Sequence, residues 1–160
     1  MLRVGIFGEG SGGTIALLAA SIDPRIKAVD VLNPWGDWPS WLSGSRVVPE
    51  AERAGYTTPD FLKEVGPLDP AVVLPKLAST RLRVQQSLWD LREVPTASRE
   101  RIAAAVPAGA RLAQYRDIHD YSEKVGMNGK MLDWMYASLA PGADQSAVHS
   151  ATVEHQVCHP

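Results

Sequence analysis

The chain has 160 residues, 45% of them hydrophobic and 21% charged, with 16 basic and 18 acidic side chains and a formal net charge of −2. These values exclude fibrous, collagen-like and strongly disordered classes and fit one globular domain with enough chain to bury a real core. The charges are interspersed, so there is no basic stripe for a phosphate backbone and nucleic acid is not an expected partner. The single cysteine, Cys158, leaves no internal disulfide and suits a reducing compartment, so a cytoplasmic location is expected. The apolar run Ile15 to Ala20 is too short to span a bilayer, and Met1-Leu2-Arg3 leads directly into a strand pattern, so neither membrane insertion nor a signal peptide is expected.

Arg3 to Phe7 reads as a strand, Gly8 to Gly13 as a tight glycine-rich turn, and Thr14 to Ile22 as a helix that Asp23-Pro24 stops. Ile26 to Leu32 is a second strand, which makes the unit βαβ and its strands parallel. From Asn33 to about Ser79 prolines recur and periodicity breaks. This segment is a lid-like excursion with short helices over 49–54 and 59–65. Leu82 to Leu88 is a third strand, followed by a helix to about Val106 with Thr96 or Ser98 as N-cap. Arg111 to Tyr115 is a fourth strand. A last helix, about 129–139, carries Met131, Leu132, Met135 and Leu139 at helical spacing, with Trp134 on a neighbouring stripe. Residues 141–160 form a weakly patterned, flexible tail. The expected fold class is therefore α/β, a parallel sheet of about four strands flanked by helices within a domain over 1–140. Its sites should lie beyond the carboxyl ends of the strands, at Gly8–Gly13, Asn33–Asp37, Ser87–Asp90 and Ile118–Tyr121.

The turn GEGSGG supports two readings. Gly8, Gly10 and Gly13 occupy the G-x-G-x-x-G positions of a dinucleotide fingerprint, with Asp30, seventeen residues after Gly13, as candidate ribose acid. The same string resembles the nucleophile elbow of the α/β-hydrolase superfamily, where strand, G-x-S-x-G and helix present a serine at a strained apex. The following DPRIKAVDVLNP resembles the next strand of esterases and prolyl-oligopeptidase-like hydrolases. Ser87-Leu88-Trp89-Asp90 followed by Val94-Pro95 resembles the strand end carrying the triad acid, and RERIAAAVPAGARL the helix and strand before the histidine. The resemblance covers about Leu2 to Leu139. It implies Asp90 as triad acid and His119, 29 residues later, as general base, on a small ester or peptide substrate and with no cofactor.

Two departures qualify that implication. With Gly8 as the first motif glycine, the nucleophile position is Gly10 and the last glycine is Gly12, while the serine, Ser11, stands one place later. Three accounts remain open: a natural pseudo-hydrolase, a serine-to-glycine variant, or transfer of the nucleophile's role to Ser11. The elbow also begins at residue 8, without the preceding half of the fold and its oxyanion donor, which exposes the first strand as an open edge. A homo-oligomer covering that edge, or a truncated gene product, is expected.

Other residues carry weaker signals. Asp117 and Asp120 flank His119 and could equally be its partners, and Glu9 is a possible acid near the turn. Trp35, Trp38 and Trp41 could line an apolar substrate pocket or form the packed base of a lid. His149, His155, Cys158 and His159 match no standard zinc spacing, so no metal is expected, and Met127, Met131 and Met135 read as a core or interface stripe.

Overall fold

A computed structural model describes residues 3–89, 93–127 and 129–141. Four strands, β1 (Val4–Glu9), β2 (Ile26–Leu32), β3 (Arg81–Ser87) and β4 (Arg111–Tyr115), form one parallel sheet in the order β1-β2-β3-β4. The steady order, with crossovers of one hand, puts the connecting segments on one face. The helical segments are α1 (Ser11–Ile22), α2 (Trp38–Gly44), α3 (Glu50–Tyr56), α4 (Pro59–Val65), α5 (Pro70–Val73), α6 (Thr96–Ala105), α7 (Ile118–Tyr121) and α8 (Lys130–Leu139).

Alternation along the strands sorts the two faces. Val29 and Val31 of β2 and Leu82 and Val84 of β3 point to the crossover side, where they bury with Ala16 and Leu17 of α1, Ile102 of α6, and Leu74 and Leu77. Leu74–Leu77 is a 3-10 turn after α5, so the excursion between β2 and β3 contributes directly to the core. The opposite face carries Asp30, Arg83 and Gln85, and is covered by α7 and α8. Arg83 lies under the Trp134 ring, 4.7 Å from its centroid.

The expected elements are present, with differences that have physical causes. The first helix begins at Ser11 rather than Thr14, because the turn glycines already enter helical geometry. Ser98 does not cap α6: Pro95 stands at the N-cap, and the Ser98 hydroxyl donates to the Gly36 carbonyl at 2.6 Å, tying α6 to the excursion. On α8 the inward stripe is Trp134 and Ser138, with Leu132 left exposed. The polar face beneath accepts an aromatic over Arg83, where the apolar spacing favoured Leu132. Met131 and Met135 pack inward while Met127 is exposed, so the methionine stripe is two residues long. The helices α2 and α5 were not expected, because seven and four residues give too few turns for a period to be read.

Candidate functional site

The site is built from the turn at the carboxyl end of β1. Gly8 is irreplaceable on steric grounds: a Cβ there would overlap the Gly12 carbonyl where the chain folds back into α1. Gly10 is the apex, at φ 54° and ψ −121°, a conformation that costs a residue with a Cβ of order 1–3 kcal/mol. Its N–H donates to the Leu32 carbonyl at 2.9 Å, extending the β1–β2 ladder. Its carbonyl accepts from the Thr14 N–H at 3.1 Å, which starts α1. Among the described residues no side chain caps the start of α1. Ser11 is exposed as the first helical residue, and Glu9 is exposed at the end of β1.

The residues after β2 are arranged over this apex. Asn33, at φ 47°, joins the ends of two strands: its side chain donates to the Ser87 hydroxyl (2.9 Å) and accepts from the Ser87 N–H (2.8 Å). The chain then reaches Trp35, whose carbonyl accepts from the Thr14 hydroxyl at 2.6 Å. This bond holds the Trp35 indole against Gly10, with Nε1 3.2 Å and Cε2 3.4 Å from where a residue-10 Cβ would sit. Trp35 stacks on Trp41 (4.7 Å between centroids), and Trp38 meets Trp41 edge-on at 5.9 Å. The three tryptophans thus pack on one another. Among the described residues their buried indole N–H groups meet no acceptor. Asp69 fixes the start of α2 by accepting from the N–H groups of Asp37 and Trp38, both at 2.7 Å.

His119 follows β4, at the same end of the sheet as the turn. It is the second residue of α7, which Asp117 caps by accepting the Asp120 N–H at 2.8 Å. Three strand spacings, about 14 Å in all, separate β1 from β4. The His119 imidazole is exposed and its Nε2 lies 3.1 Å from Glu123 Oε1, so the structure pairs it with Glu123 rather than with Asp117 or Asp120. Those two carboxylates are engaged elsewhere. Asp117 is held below the ordinary carboxylate range chiefly by the Asp120 N–H, then by Arg116; Asp120 is lowered chiefly by Lys124 at 2.9 Å. Sequence reasoning missed Glu123, although the i, i+4 spacing from His119 was there to be read. Asp90 lies outside the described residues, as do His149, His155, Cys158, His159 and all but the first residue of the expected tail.

Asp30 is unavailable as a ribose acid. Its carboxylate is fully buried, accepting from Arg83 at 2.9 and 2.7 Å and from Gln85 at 2.8 Å, and Tyr115 donates to Gln85 Oε1 to close the network. A shallow cavity of about 330 Å3 lies away from the turn, between α2, α5 and α6, lined by Asp37, Asp69, Val72 and Arg101 among others. Among the described residues no group of three or more His, Cys, Asp or Glu side chains is placed to hold a metal ion, and no helix is long and apolar enough to cross a membrane.

No protein-family model matches the chain, and no curated protein sequence matches it. Solved structures do. The chain is similar to Pyrococcus horikoshii acylaminoacyl peptidase, with a TM-score of 0.62 and 17% identity over 92% of this chain and 26% of that one. It is similar to a Mycobacterium tuberculosis puromycin-hydrolyzing peptidase at a TM-score of 0.56 and 20% identity, over 71% of this chain and 18% of that one. The esterase domain of a Rhodothermus marinus protein matches at a TM-score of 0.56 and 15% identity, over 82% of this chain and 58% of that one. The chain therefore has an α/β-hydrolase-like fold, and it spans about a quarter of the length of the acylaminoacyl peptidase it matches.

Proposed function

We infer that the chain is a serine-hydrolase-like scaffold for small ester or peptide substrates, with Gly10 at the nucleophile position, and that as written it is inactive or very weak. The observation that carries this reading is the backbone of Gly10: φ 54° and ψ −121° at the apex between β1 and α1. An elbow holds its nucleophile in such a strained turn so that the side chain stands clear of the sheet. Glycine keeps the turn and supplies no atom to attack a carbonyl.

The remaining roles follow chain order. Asp90, after β3, is the acid, and His119, after β4, is the base, which must leave Glu123 to serve a nucleophile at the turn. Ser11 sits one residue into α1, where its backbone N–H suits an oxyanion donor better than its hydroxyl suits attack. Residues 33–79 serve as a lid whose closing turn, Leu74–Leu77, roots it in the core. The outer side of β1 has no neighbouring strand among the described residues, and copies of the chain associate through it; a monomer by light scattering at high concentration would count against that part.

Hydrolysis of p-nitrophenyl acetate tests the reading. The wild-type chain should hydrolyse the ester no faster than its Ser11→Ala variant. A catalysed rate that disappears in Ser11→Ala would overturn it.

A further inference from the structure

We propose that Trp35 closes the seat of the nucleophile: its indole stands in the space a residue-10 side chain needs, so Gly10 and Trp35 are a matched pair. The inference rests on reading Gly10 as the nucleophile position, and the contact behind it is independent of catalysis. A Cβ on Gly10 would lie 3.2 Å from Trp35 Nε1, 3.4 Å from Cε2 and 3.7 Å from Cζ2. The approach to Nε1 is tighter than an ordinary carbon contact, so the indole would have to give by a few tenths of an ångström.

It is poorly placed to do so. The Thr14 hydroxyl holds the Trp35 carbonyl at 2.6 Å from the first turn of α1, and the ring is stacked on Trp41 at 4.7 Å. Trp41 is itself buried and packed edge-on by Trp38. Backing the half-buried indole away from Gly10 therefore means disturbing its stack on the buried Trp41 and, through it, the edge contact with Trp38. The chemistry points the same way. Trp35 Nε1–H is buried with no acceptor among the described residues, and Nε1 is the indole atom nearest the residue-10 Cβ position. A serine hydroxyl placed there would take that N–H, and an oxygen accepting from an indole is a poorer nucleophile than a free one. The chain is thus silenced twice, by the missing hydroxyl and by the indole over its place.

A thermal double-mutant cycle tests the pair without requiring activity. Gly10→Ala carries two penalties, the positive φ and the crowding by Trp35. The first is the same in any background, so the cycle isolates the second. The fall in Tm on Gly10→Ala should be smaller in a Trp35→Leu background than in wild type by roughly 3 °C or more. Equal falls in the two backgrounds overturn the proposal. If Trp35→Leu does not fold, Trp35→Phe provides the same comparison. If neither folds, the wild-type chain decides by NMR: an NOE between the Trp35 indole N–H and Gly10 Hα supports the contact, and its absence overturns it.

Labelling by a fluorophosphonate then separates this proposal from the hydrolase reading. Gly10→Ser should label at least ten-fold more slowly than Gly10→Ser/Trp35→Leu. Equal, rapid labelling of both variants overturns the role of Trp35 while upholding the hydrolase reading. Absence of labelling in both counts against the hydrolase reading, and the thermal cycle or the NOE then decides the pair.

Discussion

Asp30 of β2 and Arg83 of β3 face each other across the parallel ladder and form a two-pronged ion pair, 2.9 and 2.7 Å, with both side chains almost wholly removed from water. Burying two charges is costly, and further contacts support the pair: Gln85 donates to Asp30, Tyr115 donates to Gln85, and the Trp134 ring covers the guanidinium. Asp30→Asn leaves Arg83 as a buried cation without its counter-charge and should cost about 3–5 kcal/mol in urea denaturation. A cost below about 1 kcal/mol would mean that Arg83 finds water or another partner.

The turn glycines differ in what they can tolerate. Gly8→Ala forces a methyl into the Gly12 carbonyl and should cost about 3 kcal/mol or more. At Gly12 a Cβ meets nothing within 4 Å and the residue is already helical, so Gly12→Ala should be neutral or stabilising by up to about 1 kcal/mol. Thermal unfolding of the two variants side by side reads the contrast.

The Asp69 carboxylate accepts three backbone N–H groups, from Asp37 and Trp38 at 2.7 Å and from Ala71 at 2.9 Å. Removing it strands donors at the start of α2 and of α5. Asp69→Ala should therefore destabilise by about 2–4 kcal/mol and disturb the tryptophan group, seen as a shift in tryptophan emission. An unchanged spectrum with full stability would contradict this anchoring role.

Asp23 is held by Arg25, whose guanidinium hydrogen bonds lower its carboxyl from the ordinary 3.8 to about 2. A carboxylate depressed in the folded state adds stability that is present above its unfolded value and is lost as pH falls through its folded value. The loss should therefore run from about pH 4 down to about pH 2. Carbon-detected NMR titration of Asp23 should show a midpoint near 2 that returns toward 3.8 in Arg25→Ala. An unshifted midpoint in the wild type would contradict the pairing.

Much of the fold was legible because its signals are local and periodic. β2 and β4 match the expected spans, α4 does too, and the turn between β1 and α1 followed from spaced glycines between an apolar strand and an apolar helix. The α/β class and the four-stranded parallel sheet follow from those units. What stayed hidden depends on tertiary partners. Leu132 looked like a core residue and is exposed, because an unusually polar sheet face selected Trp134 instead. Ser98 looked like a cap and reaches across to Gly36. At the site, the three tryptophans within seven residues marked a cluster, yet no spacing rule places one indole over Gly10: that follows from the positive φ at Asn33 and the Thr14 bond.

The central claim is that residue 10 holds the nucleophile's place and that this chain lacks a working nucleophile. It is tested most directly by the intact mass of the wild-type protein after incubation with a fluorophosphonate, with heat-denatured protein as control. The account predicts no adduct above the control, because Gly10 offers no hydroxyl and Ser11 lies past the apex. A single adduct mapped to Ser11, absent from the denatured control, would contradict it and make Ser11 the nucleophile of an active hydrolase.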